Sequence, residues 1–195
     1  QSLLSALASQ NIFVPSACGG GGTCAMCKCH VTQGGGDVLP TEVGHLSMKE
    51  RKEHVRLACQ VKVKQDMEIV LEDEIFGVQK FDCKVKSNRN VATFIKELIL
   101  ELPDGQVIDF ESGGYIQIDV PKYECDFRDF VVEEEYHPDW DRFDVWKYHA
   151  KNEEEDVYRA YSMANHPAEG NIIMFNIRIA TPPRGRDDLP PGLCS

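Results

Sequence analysis

Four cysteines fall within twelve residues, Cys18, Cys24, Cys27 and Cys29, and Gly19, Gly20, Gly21, Gly22 and Thr23 separate the first two. No other stretch constrains the chain so tightly. Four consecutive glycines disfavour helix and strand alike, because glycine loses more conformational freedom on ordering than any other residue. The remaining cysteines are Cys59, Cys83, Cys125 and Cys194. A disulfide scaffold spreads paired cysteines through a short secreted chain. Here four of the eight cysteines crowd into one glycine loop, and no secretory leader is expected before it. The expectation is a reduced compartment and a metal–thiolate site.

Cys18, Cys24 and Cys27 read C-x5-C-x2-C, and Cys59 follows 32 positions later. Three thiolates in a loop plus one distant cysteine match the ligation pattern of a [2Fe-2S] cluster. Such a cluster is anionic, and reduction makes it more so. Backbone N–H groups of Gly19, Gly20, Gly21 and Gly22 can turn toward the sulfurs with no Cβ in the way. Zinc is the alternative, but zinc ribbons use two C-x2-C knuckles and only one is present. Cys29 is expected to be a neighbour, because the C-x-C step from Cys27 leaves its side chain on the opposite strand face. Cys83, Cys125 and Cys194 lack cluster spacing and read as ordinary thiols.

The 195 residues suit one large domain or two small ones. With 32 acidic against 21 basic residues and a net charge of −11, a nucleic-acid partner is not expected. No apolar run approaches the ~20 residues of a bilayer span. Leu3, Leu4 and Leu7 place a helix in 1–11, and a strand is expected from Lys28. Ser47 and Glu50 form a capping signature for a charged helix reaching about Arg56. Alternation predicts strands in 59–64 and 67–72. A boundary is expected near 73–80, giving domains 1–75 and 76–195. Beyond it, strands are predicted in 81–87, 93–102, 114–120, 158–164 and 171–180, with turns at 103–105 and 166–170. Several short antiparallel strands suggest a small barrel.

Residues 121–156 interrupt that barrel with 13 acidic and five basic residues, yet also with eight aromatics. Disordered acidic segments are poor in aromatics. The segment therefore reads either as an ordered insertion packed on the barrel or as a docking surface for a partner protein.

The cysteine loop resembles that of plant-type ferredoxin domains, although five rather than four residues separate its first two cysteines. The segments ACGGGGTC, GGGDVLPTE, EIFGV, GGYIQI, RAYSMAN and IRIATPP together resemble the F subunits of bacterial sodium-translocating NADH:quinone reductases. The likeness runs through nearly the whole chain. It implies an α+β chain: a β-grasp [2Fe-2S] ferredoxin-like domain, then an antiparallel β-barrel of the ferredoxin-reductase FAD-binding type.

Arg159-x-Tyr161-Ser162 is similar to the flavin motif of that superfamily. An arginine fork can neutralise a pyrophosphate, a tyrosine ring can stack on isoalloxazine, and a serine hydroxyl can hydrogen-bond flavin N5. An ordinary strand with an exposed arginine is the alternative. In the family a Gly-x-x-Ser segment opens a helix facing the pyrophosphate, and Gly192 and Ser195 match it.

The resemblance further implies an electron relay from NADH through FAD to the cluster, then to other membrane subunits at the cytoplasmic face of the bacterial inner membrane. No catalytic residue is assigned. The sequence starts at Gln1 and contains no G-x-G-x-x-G after a strand. A ferredoxin hairpin, the membrane helix of the family and the nicotinamide domain are therefore expected outside these residues. The rivals are the soluble reductase component of a multicomponent oxygenase and a plain ferredoxin carrier.

Overall fold

A computed structural model of the chain describes residues 1–153, 157–183, 185–186 and 188–192. The chain divides into two units, one of residues 1–80 with 157–160, the other of 81–155 with 161 onward.

In the first unit, helix α1 (Leu3–Ala8) starts where the Ser2 hydroxyl accepts the Ser5 N–H at 3.1 Å, and it buries Leu3 and Leu7. Strand β1 (Lys28–Gln33) follows the cysteine loop. Two short helices come next, α2 (Pro40–Val43) and α3 (Met48–Lys52). Ser47 and Glu50 cap α3 reciprocally, as the sequence suggested. Strands β2 (Val55–Leu57) and β3 (Glu68–Val70) flank β1 antiparallel on either side. Leu3, Leu7, Val14, Val31, Leu46, Leu57 and Val61 fill the core beneath.

Two local expectations are corrected. The charged helix ends at Lys52 rather than near Arg56, and Val55–Leu57 is a strand buried at every position. The alternating run 59–64 is not a strand. Its backbone turns instead, with Gln60 and Val61 N–H both donating to the Leu57 carbonyl at 2.8 and 3.1 Å. Only Lys62 makes a bridge, to Ser2.

In the second unit, β4 (Lys84–Ala92), β5 (Ile95–Glu101) and β10 (Ile172–Arg178) make an antiparallel sheet with β5 in the centre. Strands β6 (Tyr115–Val120) and β9 (Val157–Ser162), of which only 161–162 belong to this unit, pair with each other, as do β7 (Tyr123–Asp126) and β8 (His149–Asn152). Among the described residues these sheets do not close into a barrel. Instead Leu98, Leu100, Ile173 and Phe175 share one apolar cluster with Ile116, Ile118, Tyr161 and Met163. Sheets that bury one common core face to face need no ladder between their edges.

The acidic segment is ordered over its described part. β7 and β8 tie its ends together, with Tyr123 opposite Asn152. Between them lies helix α4 (His137–Arg142), which carries Trp140. Trp140 is fully buried, donates its indole N–H to the Thr93 carbonyl at 2.8 Å, and lies 4.6 Å from the Trp146 ring. Phe127, Phe130 and Phe94 surround it. The aromatics thus form a small core of their own, joined by Ile179. No helix among the described residues is long and apolar enough to cross a membrane.

Candidate metal centre

The loop between α1 and β1 carries three of the four candidate ligands, and the turn after β2 carries the fourth. The register of β1 against β2 brings them together. Lys28 stands opposite Leu57, and the Ala58 N–H donates to the Cys27 carbonyl at 2.9 Å. Cys27 and Cys59 are therefore neighbours, and both are buried. Their thiols hydrogen-bond to each other. Cys24 Sγ lies 3.4 Å from Cys18 Sγ.

The four sulfurs thus stand as two pairs, Cys18 with Cys24 and Cys27 with Cys59. Among the described residues no three His, Cys, Asp or Glu side chains converge on a single ion position. Two pairs suit a two-iron cluster, in which each iron takes two protein ligands.

The electrostatics favour the thiolate at Cys18 and Cys59. Burial pushes the Cys18 thiol up, but the Cys24 and Thr23 amides hydrogen-bond its sulfur and bring it down to about 6. The bond received from the Cys27 thiol leads in lowering Cys59 to about 6, against burial and with help from Gln60 and the Gly22 amide. Cys27 is held above its ordinary range by the proton it shares with Cys59 and by burial. Lowered thiols are the nucleophilic and metal-binding ones. Cys29 is different: it sits buried on β1 opposite Arg56, and burial raises it to about 11.

The glycine amides are used more locally than the sequence suggested. Gly19 N–H donates to the Ser16 carbonyl at 3.1 Å, Gly20 N–H to the Ser16 hydroxyl at 3.0 Å, and Gly21 N–H to the Cys18 carbonyl at 3.3 Å. Gly22 is the glycine whose N–H is directed at a cysteine sulfur, that of Cys59. Ser16, Thr23 and Cys24 therefore share the work of shaping the loop.

Three contributors escaped the sequence reading. Gln60 directs its side-chain N–H at Cys59 Sγ, 3.4 Å away. Its only sequence signal was adjacency to a candidate ligand. Glu42 and Arg56 form an ion pair at 2.6 Å, both almost fully buried. Glu42 also accepts the Leu39 and Leu57 N–H groups at 2.8 Å each, and Arg56 reaches the Gly35 and Gly36 carbonyls at 2.7 and 2.9 Å. This pair anchors the strand that leads into Cys59.

The candidate flavin residues have separate surroundings. Arg159 donates from Nη1 to the Tyr158 carbonyl at 2.8 Å and belongs to the segment grouped with the first unit. In the second unit, Tyr161 is half-buried with its ring 6.0 Å from that of Phe175, and Ser162 is exposed. Gly192 donates its N–H to the Ala180 carbonyl at 2.8 Å. Ser195 lies outside the described residues.

A buried strand turn and a glycine loop offering two thiol pairs define a class, and residues 1–64 match the family of 2Fe-2S iron-sulfur cluster binding domains. Beyond that domain the likeness continues. The chain is 56% identical over 193 residues to the F subunit of the Na(+)-translocating NADH-quinone reductase of a Marinomonas species, covering 99% of this chain and 47% of that protein. It is 57% identical over 194 residues to the corresponding protein of Methylococcus capsulatus, again with 99% and 47% coverage. The chain spans about half the length of the curated relatives it matches. Among solved structures, the Amycolatopsis cytochrome P450 reductase GcoB aligns with a TM-score of 0.46 and 23% identity, over 92% of this chain and 45% of that one.

Proposed function

We propose that the chain is the iron–sulfur and flavin half of the electron-transfer subunit of a sodium-translocating NADH:quinone oxidoreductase. What carries the reading is one observation: the 56% identity to the Marinomonas protein runs across both units of the chain. When bound, a flavin beside a [2Fe-2S] cluster supplies the division of a two-electron hydride donor, NADH, into single-electron steps.

The residues fit the cluster. Cys18, Cys24, Cys27 and Cys59 offer two thiol pairs, two of the thiols already favour the thiolate, and the Gly22, Thr23 and Cys24 amides point at sulfur. In this reading Cys18 and Cys24 would hold one iron, and Cys27 and Cys59 the other. Residues 1–75 are the ferredoxin-like domain, and 76–195 the antiparallel FAD-binding domain, barrel-like in strand content.

FAD, when bound, would be held by the Arg159 guanidinium at its pyrophosphate, by the Tyr161 ring at the isoalloxazine and by the Ser162 hydroxyl at N5. Gly192 would add to the phosphate side, as would Ser195, which lies outside the described residues. The half-buried ring of Tyr161 beside an exposed Ser162 hydroxyl is compatible with that use. The partners are the other subunits of the complex at the cytoplasmic face of the bacterial inner membrane, reached through a membrane helix outside these residues.

The test uses the full-length gene product. It should retain FAD on purification, and NADH should produce the EPR signal of one unpaired electron, which Cys59→Ser abolishes. Quinone reduction should require the membrane subunits and respond to sodium. A purified protein without iron, or one whose cluster NADH cannot reduce, overturns the reading.

A further inference from the structure

We infer that the side-chain amide of Gln60 is a tuning group for the cluster, donating to the Cys59 sulfur and raising the reduction potential. The inference rests on the iron–sulfur reading above and adds a determinant of its energetics.

Three observations carry it. Gln60 Nε2 lies 3.4 Å from Cys59 Sγ, within reach of a hydrogen bond to sulfur. The backbone holds the side chain in that place, because Gln60 N–H donates to the Leu57 carbonyl at 2.8 Å and fixes the turn after β2. The loop opposite leaves room for it. A Cβ on Gly22 would stand 2.5 Å from Gln60 Nε2 and 2.9 Å from its Cδ, at a backbone φ of +75° that itself favours glycine. The carboxamide therefore occupies the space that a side chain at position 22 would fill. The Gly22 N–H meets the same sulfur from the loop side.

The chemistry gives the sign. One-electron reduction adds a negative charge to a group that is already anionic, and the extra charge spreads onto the ligand sulfurs. A neutral N–H aimed at one of those sulfurs stabilises the reduced form more than the oxidised form. Hydrogen bonds to sulfur are among the levers that set such potentials. A group that merely braced the loop would change cluster loading or stability and leave the potential of the loaded protein unmoved.

The experiment is a redox titration of the full-length gene product followed by EPR, comparing wild type with Gln60→Met and Gln60→Glu. Methionine keeps the reach and removes the donor; glutamate keeps the shape and replaces the donor with oxygen. Gln60→Met should shift the reduction equilibrium roughly tenfold toward the oxidised form, about 59 mV for a one-electron couple. Gln60→Glu should shift it further in the same direction. Loaded variants with the wild-type midpoint overturn the inference.

A measurement on the unsubstituted protein covers the case in which the variants fail to load. With glutamine labelled by 15N at the side-chain nitrogen, the reduced cluster should show a hyperfine coupling to that nitrogen. Its absence from a well-loaded sample overturns the inference. A wild-type protein with iron absent and no EPR signal overturns the functional reading and this inference with it.

Discussion

Arg56 Nη2 and Glu42 Oε2 meet at 2.6 Å with side chains 4% and 0% exposed, and every carboxylate oxygen of Glu42 has a further donor. The pair ties α2 and the glycine turn at 35–36 to β2, three residues before Cys59. Removing one partner leaves a charge buried without compensation, which typically costs about 3–5 kcal/mol. Arg56→Met should therefore lower the urea midpoint steeply. The double variant Glu42→Leu/Arg56→Met should recover much of that loss, since no charge then stays buried alone. A single variant as stable as wild type would show that the pair contributes nothing.

Acid should act through the same carboxyl. Burial pushes Glu42 up, but the bonds from Arg56 and from the Leu39 and Leu57 amides outweigh it and hold the group below the ordinary carboxylate value. Folding thus favours the ionised form. The contribution is complete above the unfolded value of about 4.3 and is lost as pH falls through the folded value. Stability measured between pH 7 and 3 should drop in the acid range, and Glu42→Gln should flatten that part of the profile. An unchanged acid slope in the variant would assign the effect to other groups.

The candidate ligand cysteines stood out in sequence because their spacing is local and the chemistry it points to is narrow. The strand that delivers the fourth was not. Val55–Leu57 is buried at all three positions, so it shows no period-two alternation, and the charged helix before it seemed to run on. Residues 59–64 do alternate, yet their amides turn back to Leu57. The alternation there was overridden by the geometry that presents Cys59. Gln60, Glu42 and Arg56 act through long-range hydrogen bonds, and no local pattern marks the partner of a polar side chain. In the second unit β4, β5, β6, β9 and β10 were visible as strand-type runs, whereas β7 and β8, inside the acidic segment, were not. Their pairing into separate sheets depended on contacts far apart in sequence.

Cys27 and Cys29 sit two residues apart, yet only Cys27 faces another candidate ligand. Cys29 faces Arg56 across β1 and β2 and is buried with the core. Cys27→Ser should abolish the [2Fe-2S] EPR signal. Cys29→Ala should keep it and cost only packing. The reverse pattern would show that the strand register assigns the wrong thiol.

Trp140 should dominate the stability of the second unit. It is fully buried, with Phe127, Phe130, Phe94 and Trp146 around it. Trp140→Ala should cost about 3–5 kcal/mol, read as a lower melting temperature. Trp140→Phe should cost less while losing the indole bond to Thr93. If the alanine variant melted like wild type, the acidic segment would not be the packed module described above.

Gly19 offers a sharper test of the loop. A Cβ there would collide with the Tyr158 carbonyl oxygen and stand 2.5 Å from Arg159 Nη1, at a φ of +60°. The oxygen belongs to backbone and cannot swing aside as a side-chain tip could. Gly19→Ala should therefore force the segment 157–160 away from the loop, besides the roughly 1 kcal/mol of left-handed strain. Gly44 is the matched control, with φ −72° and nothing within 4 Å of a Cβ. Gly44→Ala should be neutral or stabilise by about 0.4–1 kcal/mol through the unfolded chain. Hydrogen exchange separates the two outcomes: amides in 157–160 should lose protection in Gly19→Ala and keep it in Gly44→Ala. Equal protection in both variants would mean that the close approach of Gly19 to Tyr158 is not maintained in solution.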